Sequence, residues 1–598
     1  MNLFFRYPII AFVLLSLLLY GQTIFYGYVL DDYLFITGNQ FTLKGFSGIP
    51  DIWTHDVFTG VYGESLNRYR PLSATFFAIQ YQLLGLQPGL GHLVNILLYA
   101  VTAWLIYRLV NRLNIPGSEW ISMVSALLFL VHPLHTEVVA NIKSLDEILS
   151  LLFSLMALLV ALKPGFRHKW LAALYLFIAM TAKESAITFV ALIPFSLWAF
   201  GKEKPSDSMK AAVPMVIAAV GYLTMRISFV GFGDAASQAY DVMFNPFLLA
   251  SPAEKWASIL ANTMRYLGLL VWPHPLSFDY SYHQIPYSGW SDLLPWLSII
   301  VWGGLALFGW RQWKKDRIMA YGIVWYIITF SVASNIVVNT GTPLAERFLY
   351  TPSVGFSVLT AALLHRLKTS KENATRMAWL VTGLIMCLGL FKTWHRNPAW
   401  ASNLSLYGTD SKHAPNSALI RMFYGMELNA VAGDNKNDPR MQEAIAELTA
   451  ATQINPKFHH AWYNLGMVYQ KMGLHEQAVT CFRNVLQLQP SHINTHYSIA
   501  LSLGNGLGRV DEALPYMERL VNEFHSDKPE HMTGLGILYG MKNDYEQAIG
   551  TLLRGIQKHP DDAKLNFNLA ITYYNKGETE PANFYFSRAF ALDPSLKK

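Results

Sequence analysis

The chain has 598 residues, of which 52% are hydrophobic and only 14% charged, with a formal net charge of +6. A soluble protein carries charge on nearer a quarter of its residues, so this composition excludes an ordinary soluble enzyme. The basic residues sit in short breaks between apolar runs, which argues for membrane-flanking loops and against a nucleic-acid partner.

The charge deficit is uneven. Up to about Phe391 the chain reads as apolar runs with short charged breaks, and beyond Lys392 as a charged, helical, soluble sequence. The predicted organisation is a membrane domain over 1–392, a linker over 393–416 and a repeat domain over 417–598. The fold class predicted is all-α. Cys387 and Cys481 form no CxxC and no disulfide framework, so cysteine leaves the compartment open.

Met1 to Phe25 has one arginine and an apolar run, as a signal peptide does, but no small-x-small cleavage site before Asp31. It is read as a retained first span. A span needs roughly 20 apolar residues. Candidates lie at 8–27, 91–110, 119–137, 145–162, 169–182, 185–200, 211–229, 291–310, 318–337, 347–366 and 376–392, about eleven in all. Basic clusters at Arg108/Arg112, Lys163/Arg167/His168/Lys169, Lys202/Lys204/Lys210, Arg311/Lys314/Lys315/Arg317 and Arg366/Lys368/Lys371/Arg376 orient them. If these breaks are cytoplasmic, the N-terminus is inside and the carboxy-terminal domain outside. The apolar segment 254–273 would break that parity as a span, and is read as a helix lying on the outer surface within a loop over 230–290.

This parity gathers the polar residues on the outer face. The adjacent carboxylates Asp31 and Asp32 follow the first span directly, where a helix emerges from lipid. Carboxylates in hydrocarbon are costly and usually serve a function, whereas just past a helix end they can face water. Arg70 lies in the long first outer loop, and Glu346-Arg347 opens the tenth span. Arginine suits phosphate because its fork bonds two oxygens and stays charged. His92 and Asn95 lie one helical turn apart at the start of the second span, facing either the bundle or the headgroups. Lys183-Glu184 sits between two short spans, as a self-neutralising pair or a functional one.

His132, His135 and Glu137 lack the helical His-Glu-x-x-His spacing of a zinc site, and Pro133 disrupts a helix there. They are read as lining an outer pocket that hydrogen-bonds a phosphate or sugar. No metal ligands are expected, and a divalent-metal requirement stays open. There is no Walker loop, no GxSxG and no chain of mid-span carboxylates.

In the carboxy-terminal third, Pro456, Pro490, Pro560 and Pro594 step by 34, 70 and 34, and Ala478, Ala513, Ala548 and Ala582 by 35, 35 and 34. A period of 34 is the tetratricopeptide (TPR) value. The clearest unit runs Ala461-Trp462-Tyr463-Asn464-Leu465-Gly466, then Tyr469, Gly473, Ala478, Phe482 and Pro490. About five helix pairs are predicted, stacked into a superhelix whose concave face, including Trp462, Tyr463 and Asn464, binds an extended peptide or protein.

Taken together, the motifs resemble a known family. Leu30-Asp31-Asp32, Tyr69-Arg70-Pro71-Leu72, His92-Leu-Val-Asn95, His132-Pro-Leu-His135-Thr-Glu137, Ala182-Lys183-Glu184 and Ala345-Glu346-Arg347-Phe-Leu-Tyr350 resemble the GT-C glycosyltransferases of the protein O-mannosyltransferase branch. The resemblance is closest to the transmembrane and TPR-repeat (TMTC-type) family and its bacterial relatives. Two departures stand out: Lys143-Ser-Leu145-Asp146-Glu147 occupies a stretch where the family often has an arginine before the acidic residue, and the TPR array is short.

The resemblance implies a GT-C type membrane bundle followed by a TPR solenoid. It also implies sugar transfer from a polyprenyl-phosphate donor to a hydroxyl outside the cytoplasm. Asp31 would then serve as base and Asp32 would orient it or the acceptor. Arg70, with Arg347 second, would stabilise the departing phosphate, and Lys183, Glu184, His92, Asn95, His132, His135, Glu137 and Glu346 would hold donor phosphate or sugar. The partners implied are the bilayer, the lipid-linked donor and an acceptor protein held by the array. Two other classes remain open: a GT-C transferase acting on a lipid or polysaccharide, and a membrane-anchored TPR scaffold without catalysis.

Overall fold

The computed structural model describes residues 7–201, 204–231, 242–243, 245–369 and 374–597. Lys202 and Lys371 of the basic clusters, and residues 232–241 and 244 of the long outer loop, lie outside them. Every regular element among the described residues is helical. The chain separates into two compact units, Met1–Ser417 and Ala418–Lys598.

The main helices of the first unit are α1 (Pro8–Tyr20), α2 (Pro71–Leu84), α3 (Pro88–Arg112), α4 (Ser118–Val131), α5 (Leu145–Ala161), α6 (Phe166–Ala182), α7 (Phe189–Phe200), α8 (Val213–Val230), α9 (Pro252–Val271), α10 (Leu293–Trp313), α11 (Arg317–Phe330), α12 (Pro352–Lys368), α13 (Ala374–Arg396) and α14 (Asn403–His413). Each of the eleven expected spans overlaps one of them. Among the described residues six helical runs are long and apolar enough to cross a membrane, or seven if the pair bent by 53° at His132–Pro133 counts as one. Proline explains the bend, because it lacks the N–H that would continue the ladder and disfavours a helical residue before it. The remaining apolar helices are shorter, since breaks such as Lys183-Glu184 interrupt them.

Burial separates centre from rim. The run Ile142–Ala161 has 78% of its span buried, whereas Leu293–Trp313 has 11%. Leu293, Ile300 and Trp310 on the latter are 68–77% exposed. Apolar area left in water costs roughly 25 cal/mol per Å², so these faces belong against lipid tails. The chain is a membrane protein.

α9 overlies the segment 254–273. Its start is fixed by a capping box between Ser251 and Glu254. Tyr266 and Leu270 on its inner face pack with Leu134, Leu276, Phe330, Leu344 and Leu349. Residues 393–416, expected as a linker, carry the end of α13, a 3-10 turn (Asn397–Ala401) and α14. They are packed into the first unit: Arg396 pairs with the buried Asp410, and Asn397 donates to the Leu19 carbonyl at 2.7 Å.

The second unit comprises five helix pairs: α15 (Ala418–Ala432) with α16 (Pro439–Ile454), α17 (His459–Lys471) with α18 (His475–Leu488), α19 (Ile493–Leu501) with α20 (Val510–Glu518), α21 (Pro529–Met541) with α22 (Tyr545–Lys558), and α23 (Ala563–Lys576) with α24 (Thr579–Leu592). The alanine ladder is its inner seam, with Ala478, Ala513 and Ala548 fully buried and Ala582 at 1%. In the strongest unit a Cβ on Gly466 would lie 2.6 Å from the Phe482 ring, so glycine lets the two helices close. α19 and α20 are short and each runs into a wide turn, Ser502–Gly506 and Arg519–Glu523, which is where the repeat signature is weakest.

α11 and α12 cross at a glycine pair: a Cβ on Gly322 would stand 2.7 Å from the Gly355 carbonyl oxygen, and the reverse contact is tighter still. In lipid, small residues at a crossing let backbones approach closely where no hydrophobic force drives helices together. Gly355→Leu is therefore expected to lower the thermal unfolding midpoint of the detergent-solubilised protein, by about 1–3 kcal/mol of overpacking. Gly383→Leu on α13, where nothing lies within 4 Å, should leave the midpoint unchanged. Equal midpoints for both variants would contradict the crossing.

Candidate active site

The loop after α1 is held by two side chains, Asp32 and Asn403. Asp32 is completely buried; its Oδ2 accepts the Val29 N–H at 2.9 Å and its Oδ1 the Lys143 N–H at 2.7 Å. The Leu30 N–H donates to Asn403 Oδ1 at 2.8 Å. Leu30 is in the left-handed region, with φ 52°, a cost these bonds offset. The result turns Asp31 outward. Its side chain is 33% exposed, with Oδ2 3.7 Å from Lys143 Nζ and 3.9 Å from Arg68.

The two carboxylates differ accordingly. Burial opposes the charge on Asp31, but Lys143, Arg68, Arg347 and Arg70 outweigh it and hold the carboxyl below its ordinary range. Burial pushes Asp32 up to about 7, aided by the charge of Asp31 and opposed by the two N–H donors.

Beside Asp31 lies a cavity of about 410 Å³, lined by six cationic side chains, Arg68, Arg70, Lys143, Lys183, Arg226 and Arg347, and by two carboxylates, Glu147 and Glu184. Chain breaks deliver most of them. Arg70 precedes Pro71, the first residue of α2. Lys183 is extended at the end of α6, and Arg347 sits in a 3-10 turn (Glu346–Leu349) after the extended Ala345. Lys143 lies in the turn before α5, whose N-terminus, with its free N–H groups, favours the acidic Asp146 and Glu147 in its first turn.

Ion pairs stitch the walls together. Arg70 donates to Asp146 Oδ2 at 2.6 Å and straddles Glu184 with bonds of 2.9 and 3.3 Å. Lys143 Nζ lies 3.4 Å from Asp146. Lys183 pairs with Glu147. Arg347 clasps Glu137, its side chain at 2.6 Å and its backbone N–H at 3.0 Å.

Of the donor-binding residues expected from the sequence, Arg70, Lys183, Glu184 and Arg347 therefore line the cavity, and Glu137 stands behind it. The others lie elsewhere, engaged with protein. His132 Nε2 bonds the Leu270 carbonyl at 3.0 Å, and His135 lies between Tyr99 Oη at 2.8 Å and Ser353 Oγ at 2.9 Å. Asn95 donates to the Asn141 carbonyl at 3.0 Å. His92 sits edge-on to Tyr26. Glu346 accepts from the Ser277 N–H at 2.6 Å and Tyr280 at 2.7 Å. Among the described residues no three His, Cys, Asp or Glu side chains converge as a metal set.

Five residues were not assigned to the site from the sequence: Arg68, Lys143, Glu147 and Arg226, which line the cavity, and Asp146, which braces Arg70. The signal was present. Three charges open the fourth apolar run and a lone arginine closes the seventh, and charge at a span is costly unless it has a use.

In the array, Trp462 Nε1 donates to the Pro456 carbonyl at 2.9 Å and Asn464 to the His460 carbonyl at 2.8 Å, while the Tyr463 ring packs against Phe482 and His492. A cavity of about 530 Å³ lies further along, lined by Tyr497, Asn505, Glu530, Thr533, Lys564 and Asp593 among others.

The tetratricopeptide repeat family matches residues 460–492 and again 563–596. Longer similarities reach across both units. The chain is 24% identical to a Mus musculus protein named protein O-mannosyl-transferase TMTC3, over 93% of this chain and 64% of that one. It is 24% identical to the Homo sapiens TMTC3 over 97% and 67%, and 28% identical to a Caenorhabditis elegans protein O-mannosyl-transferase over 71% and 60%. The chain thus spans about two thirds of the length of these curated relatives. The similarity to the TMTC-type proteins thus takes in both the helical membrane unit and the tetratricopeptide array and runs along nearly the whole chain.

Proposed function

We propose that the protein is an inverting glycosyltransferase. It moves a hexose, such as mannose, from a polyprenyl-phosphate donor to Ser or Thr hydroxyls of exported proteins on the extracytoplasmic membrane face. The observation that carries this reading is the juxtaposition of a partly open, ionised Asp31 with a cavity lined by six cations. The names of the relatives support the sugar and the protein acceptor.

The reaction follows from these groups. The acceptor hydroxyl oxygen attacks the anomeric carbon from the side opposite the phosphate. The bond between that carbon and the phosphate oxygen breaks, and its electron pair stays on the phosphate. The hydroxyl proton passes to Asp31, and a single displacement inverts the centre. The leaving phosphate gains charge as it departs, so fixed cations stabilise the transition state more than the ground state. Before donor binds, the same cations hold Asp31 in its charged form; a bound phosphate shares them and raises its proton affinity when the hydroxyl must be activated. Asp32 acts as a positioning residue, through the loop that carries Asp31.

The array would hold the acceptor protein near the site. Its 530 Å³ cavity presents tyrosine, carboxylates and a lysine, groups that can bind an extended chain. The basic breaks orient the bundle with the N-terminus cytoplasmic and the array outside.

Three outcomes test this reading. Asp31→Asn should keep the wild-type unfolding midpoint yet lose roughly 10²–10⁴ in transfer of a labelled hexose from polyprenyl phosphate to an acceptor. Asp32→Ala should lower both, because the buried Val29 N–H loses its partner, at roughly 1–3 kcal/mol, and the Lys143 N–H keeps only its longer bond of 3.2 Å to Asn141 Oδ1. Near wild-type transfer by a well-folded Asp31→Asn protein removes Asp31 as base. Deleting Ala418–Lys598 should depress transfer to a folded protein far more than to a short peptide at saturation, since tethering raises local acceptor concentration; equal losses would mean that the array does not recruit acceptor. Reporter fusions after Lys204 and Lys371 should read cytoplasmic and one after Lys598 extracytoplasmic, and a cytoplasmic Lys598 would sink the placement of the site.

A further inference from the structure

The six cations of the cavity are not equivalent. Arg70 is committed to Asp146 and Glu184, Lys183 to Glu147, Arg347 to Glu137, and Lys143 is shared between Asp146 and Asp31. A guanidinium already forked onto a carboxylate has little charge and few N–H groups left to offer a ligand. Arg68 and Arg226 are different. The carboxylate nearest Arg68 is Asp31 at 3.9 Å, beyond hydrogen-bond length. Among the described residues Arg226 has no carboxylate within ion-pair distance; its NH2 donates to the Asn67 carbonyl at 3.3 Å.

That carbonyl belongs to the residue just before Arg68, so one bond ties α8 to the loop that carries the second arginine. The loop is itself fixed. Asp56, 1% exposed, accepts the N–H groups of Leu66 at 2.7 Å and Arg68 at 3.1 Å, and the Arg68 carbonyl accepts the Val57 N–H at 3.0 Å. The Arg68 guanidinium lies 5.4 Å over the Phe58 ring. Two arginines, one from a braced loop and one from a membrane helix, therefore reach the same 410 Å³ cavity with most of their donors uncommitted, and one of them stands beside Asp31.

We propose that Arg68 and Arg226 form the seat of the donor phosphate, while Arg70 and Arg347 frame the cavity through their carboxylate partners. This rests on the glycosyltransferase reading and deepens it. In the donor the phosphate is a diester with one negative charge. When the carbon–oxygen bond to the sugar breaks and the pair moves to phosphate, the product is a monoester with up to two. Arg68 and Arg226, neither hydrogen-bonded to a carboxylate, meet that growth of charge; the two arginines and two lysines already held closer to carboxylates do so less. Placing Arg68 between phosphate and Asp31 also couples the leaving group to the base.

The test is binding of polyprenyl monophosphate, the product without sugar, to the full-length protein in detergent, with the uncharged polyprenol as the paired probe. The wild type should prefer the phosphate. Arg226→Gln and Arg68→Gln should each weaken binding of the phosphate about tenfold or more and leave polyprenol binding and the unfolding midpoint unchanged. Arg226→Lys and Arg68→Lys, which keep a point charge but lose the fork, should fall between. If a glutamine variant does not fold, its lysine partner reads the same contrast. Wild-type phosphate affinity in all four variants, with the wild type still preferring phosphate, overturns this seat and leaves the donor reading standing. An equal loss for polyprenol and phosphate overturns it in favour of a packing role. A wild-type protein that does not distinguish the two lipids overturns both the seat and the donor reading.

Discussion

The first unit depends on the buried carboxylate of Asp32. It satisfies the N–H of Val29 in the loop after α1 and the N–H of Lys143 in the turn before α5, joining segments 111 residues apart. That clasp, together with the Leu30 N–H bond to Asn403, sets where Asp31 points and how far it lies from the cations opposite. A charge-capable group with no exposure is expensive to bury unless its acceptors are filled, and two backbone donors fill them. Its neighbour is spared that cost by turning outward. Adjacent residues of one type thus acquire opposite environments from a single turn, which a leucine in a left-handed conformation completes.

Around this turn the unit concentrates charge where a membrane protein can least tolerate it unpaired. Arg70 crosses the gap between α5 and the break after α6, and Arg347 reaches the short helix that follows Pro133. Isolated, each would be prohibitive in a low dielectric; paired, each becomes a strut, since removing one partner strands the other. The struts explain why the helices at the centre end in breaks at Lys183-Glu184 and Glu346-Arg347. The backbone gives up regular hydrogen bonding there to bring a charged side chain to its counterpart. At the rim, by contrast, Leu293–Trp313 runs unbroken with its apolar side chains outward.

The second unit follows a different logic. Each helix pair buries little alone, and the seam closes because alanine recurs every 34 or 35 residues with glycine opposite an aromatic ring in the strongest repeat. Where the signature weakens, at α19 and α20, the helices shorten and widen into irregular turns, so local sequence and local geometry fail together.

The sequence by itself determined the helical class, the alternation of apolar runs with basic breaks, the shift to a repeat array and its period. Each of these is written in spacing: twenty apolar residues, a charged break, an alanine every 34 or 35. It also exposed Asp31, Arg70, Lys183, Glu184 and Arg347, because charge beside an apolar run is conspicuous. Tertiary structure alone decided which of the polar residues share a cavity. Asn95, His132, His135 and Glu346 carry the same outward marks as Arg70, yet they hydrogen-bond backbone groups or hydroxyls, and His92 packs edge-on against Tyr26. Arg68, Lys143 and Arg226 carry fainter marks and line the cavity. The helical character of 393–416 was equally invisible, since its reason is Arg396 finding Asp410 and Asn397 finding a carbonyl on the first helix, hundreds of residues away. Period and polarity are local and survive in one dimension; whether a charge is spent on a carboxylate or left for a ligand depends on partners that only folding brings near.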